Sequence, residues 1–382
     1  MHKPYTLVIP SWYPTDTQSL NGIFIEKHVR AISTFRNVMV MYVTGDQKQH
    51  AEEKAVSDSY TSYTYYYAES SSRGFNQLKY IWAQIRAYRY IVSKYGRPDS
   101  LHLHVVFPAG IFVYLLLLCC DIPLIITEHW TGYMDEDGRY MRLPSLARYI
   151  TRNLFKKSKK ISVVSAYFKQ ILVRLQLADD SKIMTVYNTL NIPKSEYKDE
   201  NGKTLRALYI GNLIDEQKNI SVLINAVGIV AKEYPSFSLT LVGGGVEIDK
   251  FKKMAEEKGL LDKNIFFKGY IANEKLEEIY QAHSFFILTS NFETFNIAAA
   301  EAMLSGLPVV SSRCGGPTEF VNEHTGIWIE KNTAQDTATA ILKMIGERDK
   351  FNSHDIAIET QNKFSDSNIL VQLRELYSYL QL

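Results

Sequence analysis

The chain has 382 residues, of which 46% are hydrophobic and 22% are charged, and this composition excludes a disordered or fibrous protein. Such a length exceeds one ordinary hydrophobic core and suits two domains. The net charge of +2 conceals an asymmetry, because residues 1–190 hold 23 Lys and Arg against 15 Asp and Glu, whereas residues 191–382 hold 20 against 26. A basic half and an acidic half are expected to have different partners.

No stretch of the sequence predicts a membrane span or a disulfide framework. The longest apolar run, residues 109–120, has 12 residues, whereas a spanning helix needs about 20. The first 14 residues lack the apolar core of a signal peptide. The three cysteines, Cys119, Cys120 and Cys314, form no CxxC pair. We expect a cytoplasmic protein in a reducing compartment.

The first half alternates short apolar runs with segments of helical period. This alternation predicts βαβ units and a parallel sheet that is buried on both faces. The predicted strands are 5–9, 37–43, 101–106, 123–127, 160–165 and 183–187, and the predicted helices are 22–34, 109–119 and 167–177.

Residues 188–203 are polar and rich in turn residues, which predicts a linker. The alternation then restarts and ends with a helix from about residue 366 to residue 382. The sequence therefore predicts two doubly wound α/β domains, 1–190 and 191–365, with ligands beyond the carboxyl ends of the strands. The second set of strands is 205–211, 238–244, 264–269, 284–290, 308–312 and 327–330, and its helices are 219–234, 247–258, 274–282 and an Ala-rich helix that starts near 295–297.

Two glutamates, Glu293 and Glu301, bracket the start of the Ala-rich helix. Their separation, about 12 Å along a helix, excludes a paired acid and base. They flank a helix N-terminus that favours phosphate, which suits a sugar nucleotide with ribose at Glu301 and the transferred sugar at Glu293. Two solvated surface acids beside an ordinary helix remain an alternative.

The two glutamates and the segment that follows them, AMLSGLPVVSSRCGGPTEFV (302–321), closely resemble the retaining glycosyltransferases of family 4. Other pieces follow in the order of that family, at 21–24, 127–129, 164–165, 187–189, 210–213 and 218–219. The resemblance covers nearly the whole chain. It implies the GT-B fold, in which two Rossmann-like domains face a central cleft and the C-terminal helix, 366–382, crosses back to the N-terminal, acceptor-side domain.

The resemblance also implies roles for individual residues of the second domain. Lys218 would meet the donor diphosphate as a cation, where leaving-group charge develops. Glu293, with the backbone N–H groups of Phe295 and Asn296, would hold the donor sugar and phosphate. Glu301 would hold the ribose.

In the first domain, the resemblance implies that Gly22 lets the backbone approach the diphosphate closely. His129 would lie near the reacting sugar, and a satisfied, half-buried histidine is the alternative for that residue.

Three positions depart from the pattern of the family. Asn212 stands where the family has an arginine, and it would contact the donor without a charge. Thr294 and Asn296 stand where the family has glycines, and Asn296 suits the helix N-cap. These departures tune donor choice or signal lost activity.

No DxD motif lies in a suitable place, so we expect no metal and no cofactor, only a nucleotide-diphosphate sugar of the UDP or GDP type as donor. The resemblance implies retention of anomeric configuration. The expected reaction moves a hexose to a saccharide or lipid-linked acceptor in surface polysaccharide or glycolipid biosynthesis.

Two other signals are assigned to structure rather than chemistry. His102 and His104 alternate on one strand, and with no third ligand expected nearby, strand packing is the preferred interpretation. Gly243, Gly244 and Gly245, followed by Glu247, lack the spacing of a dinucleotide loop and predict a tight strand-to-helix turn.

The basic excess is concentrated in segments 74–97 and 139–160, which hold five and eight basic residues and no acid. Cationic helices with interleaved aromatic residues suit an anionic membrane surface, so peripheral binding to the inner face of the cell membrane is expected. Solvated helix faces are the alternative, and no motif supports nucleic-acid binding.

Two other functions fit the same fold. One is a sugar-nucleotide epimerase, which binds a similar donor without an acceptor. The other is a catalytically silent partner subunit, which the three departures suggest. The sequence alone leaves both open.

Overall fold

The computed structural model of the chain describes residues 4–190 and 205–380. The chain divides into two compact units. The first contains Met1–Tyr133, Gly138–Thr189 and the terminal segment Asp366–Leu382, and the second contains Met134–Asp137 and Leu190–Ser365. Each unit is built on its own sheet, and each is described by itself below.

The first unit contains an eight-stranded sheet within the described residues. Its strands are β1 (Thr6–Pro10), β2 (Val38–Asp46), β3 (His50–Ser57), β4 (Tyr60–Ala68), β5 (Ser100–His104), β6 (Leu124–Glu128), β7 (Lys160–Val163) and β8 (Ile183–Thr185). Its helices up to this point are α1 (Ile23–Ser33), α2 (Arg73–Tyr95), α3 (Gly110–Cys119), α4 (Arg139–Arg142), α5 (Ser145–Lys157) and α6 (Ala166–Arg174). The strand order is β3-β4-β2-β1-β5-β6-β7-β8.

The central strands of this sheet are buried along their whole length because both faces are covered. Every residue of β1, β5 and β6 is buried. All neighbouring pairs are parallel except the β3–β4 hairpin. The carboxyl ends of β5 and β6 therefore lie side by side, and these ends carry His104 and Glu128.

The second unit contains a six-stranded, fully parallel sheet in the part of the chain that the structure describes. Its strands are β9 (Arg206–Ile210), β10 (Ser238–Val242), β11 (Ile265–Gly269), β12 (Phe285–Leu288), β13 (Val309–Ser311) and β14 (Gly326–Trp328). Its helices are α7 (Asp215–Lys218), α8 (Ile220–Glu233), α9 (Ile248–Glu257), α10 (Leu276–Gln281), α11 (Ile297–Leu304), α12 (Ala334–Glu347) and α13 (Ser353–Phe364). The order is β11-β10-β9-β12-β13-β14.

The last helix, α14 (Asp366–Tyr377), belongs to the first unit although it follows α13 directly in the chain. Its buried face consists of Ile369, Leu373, Leu376 and Tyr377. These side chains join one hydrophobic cluster with residues of β1, β2 and α1. The predicted return of the C-terminal helix to the N-terminal domain is therefore confirmed.

The sequence did not predict the β3–β4 hairpin, although it predicted the strands and helices around it. Most of β3 is half-buried or exposed, so its residues show no apolar alternation. Its partner β4 is buried mainly through tyrosines rather than Val or Ile. Most of the predicted linker, 188–203, lies outside the described residues. Within the described ranges, no helix combines the length and the apolar character that a bilayer span requires.

Candidate functional site

The second unit changes the direction of its strand order between β9 and β12, which are neighbours at the centre of the sheet. In doubly wound sheets, ligands bind beyond the carboxyl ends of the strands at such a point. The chain after β9 leads to α7 and Lys218, and the chain after β12 leads to Glu293. Two of the predicted site residues thus come from the two loops at this point.

Lys218 and Glu293 form a largely buried ion pair. Lys218 Nζ lies 2.5 Å from Glu293 Oε1, and the two side chains are 14% and 7% exposed. Ser290 Oγ donates to the same oxygen at 2.7 Å, and Asn296 Nδ2 donates to it at 3.0 Å. All three donors reach Oε1, so the carboxylate is fixed in orientation.

The short helix α7, which carries Lys218, is fastened to the loop after β12 by backbone groups. The Asn291 N–H donates to Gln217 O at 2.7 Å, and Asn291 Nδ2 donates to Glu216 O at 2.9 Å. Thr289 Oγ1 donates to Lys218 O at 3.0 Å. These hydrogen bonds fix the position of Lys218 relative to the loop that carries Glu293.

Two acids fix the start of α7. Glu247 Oε2 accepts from the Asp215 N–H at 2.7 Å, and Asp215 Oδ1 and Oδ2 accept from the Ser221 N–H and hydroxyl. The Asp215 N–H lowers the pKa of Glu247, and the bond from Lys250 acts in the same direction. Glu247, which the sequence associated only with a tight turn, therefore positions the helix of Lys218.

Asn296 is the N-cap of α11. Its φ of 73° lies in the left-handed region, and its Oδ1 accepts from the Ala299 N–H at 2.9 Å. Asparagine tolerates this conformation better than other residues with a side chain, and its amide satisfies a free N–H of the first turn. The predicted N-cap is confirmed, and the same side chain also reaches Glu293.

Glycines bring the loops of this region into backbone contact. A Cβ at Gly316 would lie 2.3 Å from the carbonyl oxygen of Thr294. A Cβ at Gly243 would lie 2.0 Å from Gly211 O, and one at Gly245 would lie 2.4 Å from Leu213 O. The glycine-rich turn after β10 therefore packs against the loop of Asn212, as expected for a tight strand-to-helix turn.

The other predicted donor residues differ in burial. Asn212 is exposed, and Tyr209 Oη donates to its carbonyl oxygen at 3.0 Å. Thr294 is half-buried, whereas the Phe295 ring is 2% exposed and packs against Phe320 and Phe364. The buried ring of Phe295 therefore anchors the loop to the core. Only the backbone of Phe295 is suited to contact a ligand.

Glu301 is buried on α11, and Tyr280 Oη donates to its Oε2 at 3.3 Å. The alternative of a solvated surface acid is therefore wrong for Glu301, and it is wrong for Glu293 as well, since both are about 5% exposed or less.

In the first unit, Glu128 ends β6 and organises the backbone around it. Its carboxylate accepts from the N–H groups of Val106, His129 and Trp130 and from the Tyr133 hydroxyl. Burial raises the pKa of Glu128 to about 7, and these hydrogen bonds act in the opposite direction. The carboxyl group thereby fixes the loop that carries His129.

His129 lies in a group of buried histidines. Its ring contacts Phe24, at a centroid distance of 4.6 Å, and stacks on His104 at 5.7 Å. The centroid of the His28 ring lies 5.8 Å from that of His129. Burial lowers the pKa of His28 to about 4 and holds the pKa of His104 and of His129 well below the ordinary value. These rings are therefore neutral at neutral pH.

The expectation that His104 has no third potential ligand nearby is wrong, because His28 and His129 adjoin it. For His102, strand packing is the correct interpretation, since both of its ring nitrogens are hydrogen-bonded to Tyr377 and Thr127.

Gly22 precedes α1 with a φ of 70°, and a Cβ there would lie 2.5 Å from Trp12 O. The close contact with Trp12 therefore explains, within the first unit alone, why a glycine is required at position 22.

The structure brings Lys218, Glu293 and Asn296 together in the second unit, and it places Gly22 and His129 in the first. Sequence reasoning missed Ser290, Asp215 and His28. Ser290 contacts Glu293 locally, three residues away, whereas Asp215 and His28 join their sites through residues that are distant in the sequence.

Comparison with known families matches both halves of the chain. Residues 192–364 match the family model described as glycosyl transferases group 1, and residues 36–192 match the model described as glycosyltransferase family 4. The two matches together extend over most of the chain.

Two curated relatives illustrate the range of similarity. An uncharacterized glycosyltransferase of Methanocaldococcus jannaschii is 27% identical over 286 residues, which are 74% of this chain and 76% of that protein. The alpha-monoglucosyldiacylglycerol synthase of Streptococcus pneumoniae is 26% identical over 236 residues, 58% of this chain and about half (53%) of that protein.

Solved structures share the fold over nearly the full length. A sucrose-phosphate synthase from Thermosynechococcus elongatus superposes with a TM-score of 0.82 at 19% identity, covering 98% of this chain and 99% of that chain. HepE of Anabaena in complex with UDP and glucose superposes with a TM-score of 0.73 at 14% identity, covering 98% and 100%. These neighbours have two parallel-sheet α/β domains of the GT-B type.

Proposed function

The chain belongs to the group 1 glycosyltransferases, family 4 with the GT-B fold, and from this premise we propose that it is a metal-independent, retaining hexosyltransferase. The donor is a nucleotide-diphosphate sugar of the UDP or GDP type, and the acceptor is a saccharide or a lipid-linked saccharide of surface polysaccharide or glycolipid biosynthesis. The observation that carries this proposal is the fixed pair of Lys218 and Glu293 beside the N-terminus of α11.

Within the pair, Lys218 supplies a positive charge and Glu293 fixes the position of that charge. Lys218 is a positive charge held at the switch point of the sheet, and an ammonium group has three protons, of which Glu293 takes one. The other two are available to the donor diphosphate, whose negative charge grows as the bond to the sugar breaks. A cation fixed in advance acts in place of a metal ion.

Glu293 and Glu301 support donor recognition at two ends of the ligand. Oε2 of Glu293 accepts from a sugar hydroxyl while Oε1 remains bonded to Lys218, Ser290 and Asn296. The N-terminus of α11 lies between the two acids and favours the phosphates. Glu301, which is buried on that helix, accepts from the ribose.

For Gly22, Asn212 and His129 we keep the roles toward the donor that the family resemblance implies. His129 is a neutral ring, fixed by the Glu128 carboxylate that holds its backbone N–H, and it contacts the donor sugar. The exposed amide of Asn212 donates to the diphosphate without adding a second charge. The backbone at Gly22 approaches the diphosphate, and Thr294 adds a side chain beside the sugar.

The departure at Asn296 favours an active enzyme over a silent partner subunit. A glycine there would supply the left-handed conformation, but neither the N-cap nor the hydrogen bond to Glu293. The asparagine supplies all three, so the replacement maintains the site rather than erasing it.

The proposal is tested by release of free nucleotide from UDP- and GDP-sugars in the presence of EDTA. We expect turnover with one of these donors, and we expect Lys218→Ala and Glu293→Gln each to lower kcat by about 10²- to 10³-fold. Lys253→Ala and Glu257→Gln, an exposed pair on α9, are the matched controls and leave turnover unchanged.

The same assay separates the alternatives. Conversion of the sugar with the diphosphate bond intact identifies an epimerase. Nucleotide binding without turnover of any donor or acceptor identifies a silent subunit. NMR of the glycoside made with an acceptor decides retention, because a product of inverted configuration contradicts the proposal.

A surface of the first unit supports a lipid-linked acceptor. On α2, Phe75, Leu78 and Trp82 are 54%, 57% and 65% exposed, and Arg86 and Arg89 continue the same face. Helix α2 contacts α3, which in turn contacts α5. Helix α3 exposes the apolar side chains of Leu115 and Leu118, and α5 exposes those of Leu146 and Tyr149. An apolar stripe with adjoining cations suits an anionic bilayer surface.

Sedimentation with vesicles tests this part of the proposal. We expect binding to phosphatidylglycerol vesicles, weaker binding to phosphatidylcholine vesicles, and loss of binding in Trp82→Ser. Val371→Ser, an exposed apolar residue of α14, is the control. Equal binding by wild type and Trp82→Ser would exclude α2 as the membrane surface.

A further inference from the structure

Three histidines of the first unit converge from three different elements. His28 lies on α1, His104 ends β5, and His129 follows β6. One ring nitrogen from each lies within 4.8 Å of the others. His28 and His104 are fully buried and His129 is 6% exposed. The arrangement depends on the parallel register of β5 and β6, which brings the last two rings to the same edge of the sheet.

The hydrogen bonds of His28 and His104 leave one nitrogen of each ring without a partner. His28 Nε2 lies 2.9 Å from Tyr187 O, which only accepts, so Nε2 carries the proton and Nδ1 has a bare lone pair. His28 Nδ1 is buried and has no hydrogen-bond partner, and neither has His104 Nε2. Buried polar atoms are almost always satisfied, so such exceptions require an explanation. The His104 nitrogen that lies near His129 is Nδ1, not the unpartnered Nε2, so the unpartnered Nδ1 of His28 is the exception that a ligand shared by the three rings would explain.

His102 provides an internal contrast. It lies on the same strand, next to His104, and is equally buried. Its Nδ1 bonds the Tyr377 hydroxyl at 2.7 Å and its Nε2 bonds Thr127 Oγ1 at 2.6 Å. The fold therefore satisfies a buried histidine at this sheet where the ring serves packing alone.

We propose that His28, His104 and His129 form a binding site for a divalent transition-metal ion of the Zn²⁺ class. Imidazole nitrogen is a preferred ligand of Zn²⁺, Ni²⁺ and Cu²⁺, whereas Mg²⁺ and Mn²⁺ prefer oxygen. In a tetrahedral zinc site the ligand nitrogens lie about 3.3 Å apart, since each Zn–N bond is about 2.0–2.1 Å. His104 Nδ1 and His129 Nε2 are 3.4 Å apart, which is close to that spacing and is also within reach of a hydrogen bond between the two rings.

The other features of the cluster agree with a metal site. The bond from His28 Nε2 to a backbone carbonyl is the outer contact that fixes the tautomer and orientation of a metal-ligating histidine. Three protein nitrogens leave a fourth position for water. Because the metal would occupy a nitrogen of His129, the bound ion would compete with the role proposed for that ring toward the donor sugar. The site thus provides inhibition by metal rather than catalysis.

The test measures metal binding directly and does not depend on the proposed function. Untagged, EDTA-treated protein is dialysed against ZnCl₂, and bound zinc is counted. We expect one tightly bound Zn²⁺ per chain, and a tetrahedral visible spectrum when Co²⁺ replaces it. His28→Gln and His104→Gln are each expected to weaken this binding by about 100-fold or more, since each removes a ligand.

Matched variants exclude other ligands. In His283→Gln, the ring that is lost is buried and bonded at both nitrogens, so zinc binding should not change. The free thiols Cys119 and Cys120 are removed together as Cys119→Ser/Cys120→Ser, with the same expectation. If His28→Gln or His104→Gln does not fold, a zinc-dependent rise in the melting temperature of the wild type replaces the measurement.

The proposal is overturned if the wild type binds no stoichiometric Zn²⁺, if both cluster variants bind it as tightly as the wild type, or if the cysteine variant loses it. An absence of glycosyl transfer would leave zinc binding unchanged, so failure of this proposal and failure of the proposed function are distinguishable.

Discussion

Asn296 shows how one side chain serves backbone geometry and the site together. Its backbone has a φ of 73°, its Oδ1 caps α11, and its Nδ2 donates to Glu293. The family pattern has glycine at this place, which satisfies only the first requirement. Asparagine adds the cap because its amide reaches the free N–H of Ala299.

Substitution of Asn296 should separate these contributions. Asn296→Gly keeps the left-handed conformation and loses the cap, for a cost of a few tenths of a kcal/mol, whereas Asn296→Ala loses the cap and adds backbone strain, for a cost of about 2 kcal/mol. Hydrogen exchange of residues 297–300 reports the local opening. Equal exchange in the two variants would contradict the strain at this position.

The site residues could be predicted from the sequence where a local pattern carries them. The spacing of Glu293 and Glu301 around a helix start singles out these two residues as candidates, and the family resemblance singles out Lys218. His28 could not be found in this way, because it is one buried position on an amphipathic helix and only the packing of α1 brings it to His104. The ion pair of Lys218 and Glu293 likewise joins residues 75 positions apart.

The buried histidines should make the metal-free first unit sensitive to acid. Burial lowers the pKa of His28 to about 4 and of His102 to about 3, and the pKa of His104 and of His129 is also far below normal. Unfolded histidine has a pKa of about 6.5, so the unfolded chain takes up four protons that the folded unit refuses. The contribution of these histidines to stability is therefore fully present above pH 6.5 and is lost as the pH falls.

Glu128 opposes this effect by one proton. Its folded pKa of about 7 lies above its unfolded value, so its contribution is lost as the pH rises. The net uptake is about three protons, which gives about 4 kcal/mol per pH unit near pH 5.5. Urea unfolding of Trp328→Phe in EDTA, followed by tryptophan fluorescence, measures this slope, since the remaining tryptophans, Trp12, Trp82 and Trp130, all lie in the first unit. An uptake of one proton or fewer would contradict the buried, neutral rings.

At the scale of secondary-structure elements, α7 is a one-turn helix that cannot be stable by itself. It is held instead by Glu247 and Ser221 at its start and by the loop after β12 at its end. The sequence predicted neither this turn nor the β3–β4 hairpin, because both are maintained by tertiary hydrogen bonds or strand pairing rather than by an apolar period. Most of the other strands and helices, which have that period, were predicted within a few residues, but α12 and α13 were not predicted.

Removing the acid that holds α7 should disturb the proposed catalysis at a distance. In Glu247→Ala the Asp215 N–H loses its acceptor, α7 loosens and Lys218 is displaced. We expect kcat/KM for donor turnover to fall about tenfold, with faster hydrogen exchange at residues 215–218. Glu247→Gln keeps an acceptor oxygen and should recover most of the activity, which a loss of surface charge alone would not explain.

Lys250→Ala is the control for the charge, since its ammonium contacts both acids but its side chain is half exposed. Exposed ion pairs contribute about 0–1 kcal/mol, so this variant should retain near-normal turnover. A fall equal to that of Glu247→Ala would show that the cation, rather than the carboxylate, holds the helix.

At the scale of the whole molecule, the first unit is assembled from both ends of the chain. Its first 190 residues build most of that unit, its middle builds the second unit, and α14 completes the first core. The alternation of strands and helices in the sequence predicted both sheets. A strand that is buried on both faces consists mainly of apolar residues, so it is visible in the sequence as a short apolar run. The return of α14 was implied by family resemblance and not by periodicity, since an amphipathic helix at the end of a chain does not identify the surface that it will cover.

This arrangement makes the stability of the first unit depend on residues that follow the second in sequence. Leu373 is fully buried on α14, whereas Val371 on the same helix is 64% exposed. Leu373→Ala should destabilise the first unit by about 2–5 kcal/mol through the lost contacts and the cavity, and Val371→Ala should change its stability by less than about 0.5 kcal/mol. Hydrogen exchange followed peptide by peptide reports each unit separately. Faster exchange should appear in β1, β2 and α1, which share the cluster of Leu373, and not in β9 or β12. The opposite distribution would assign α14 to the core of the second unit.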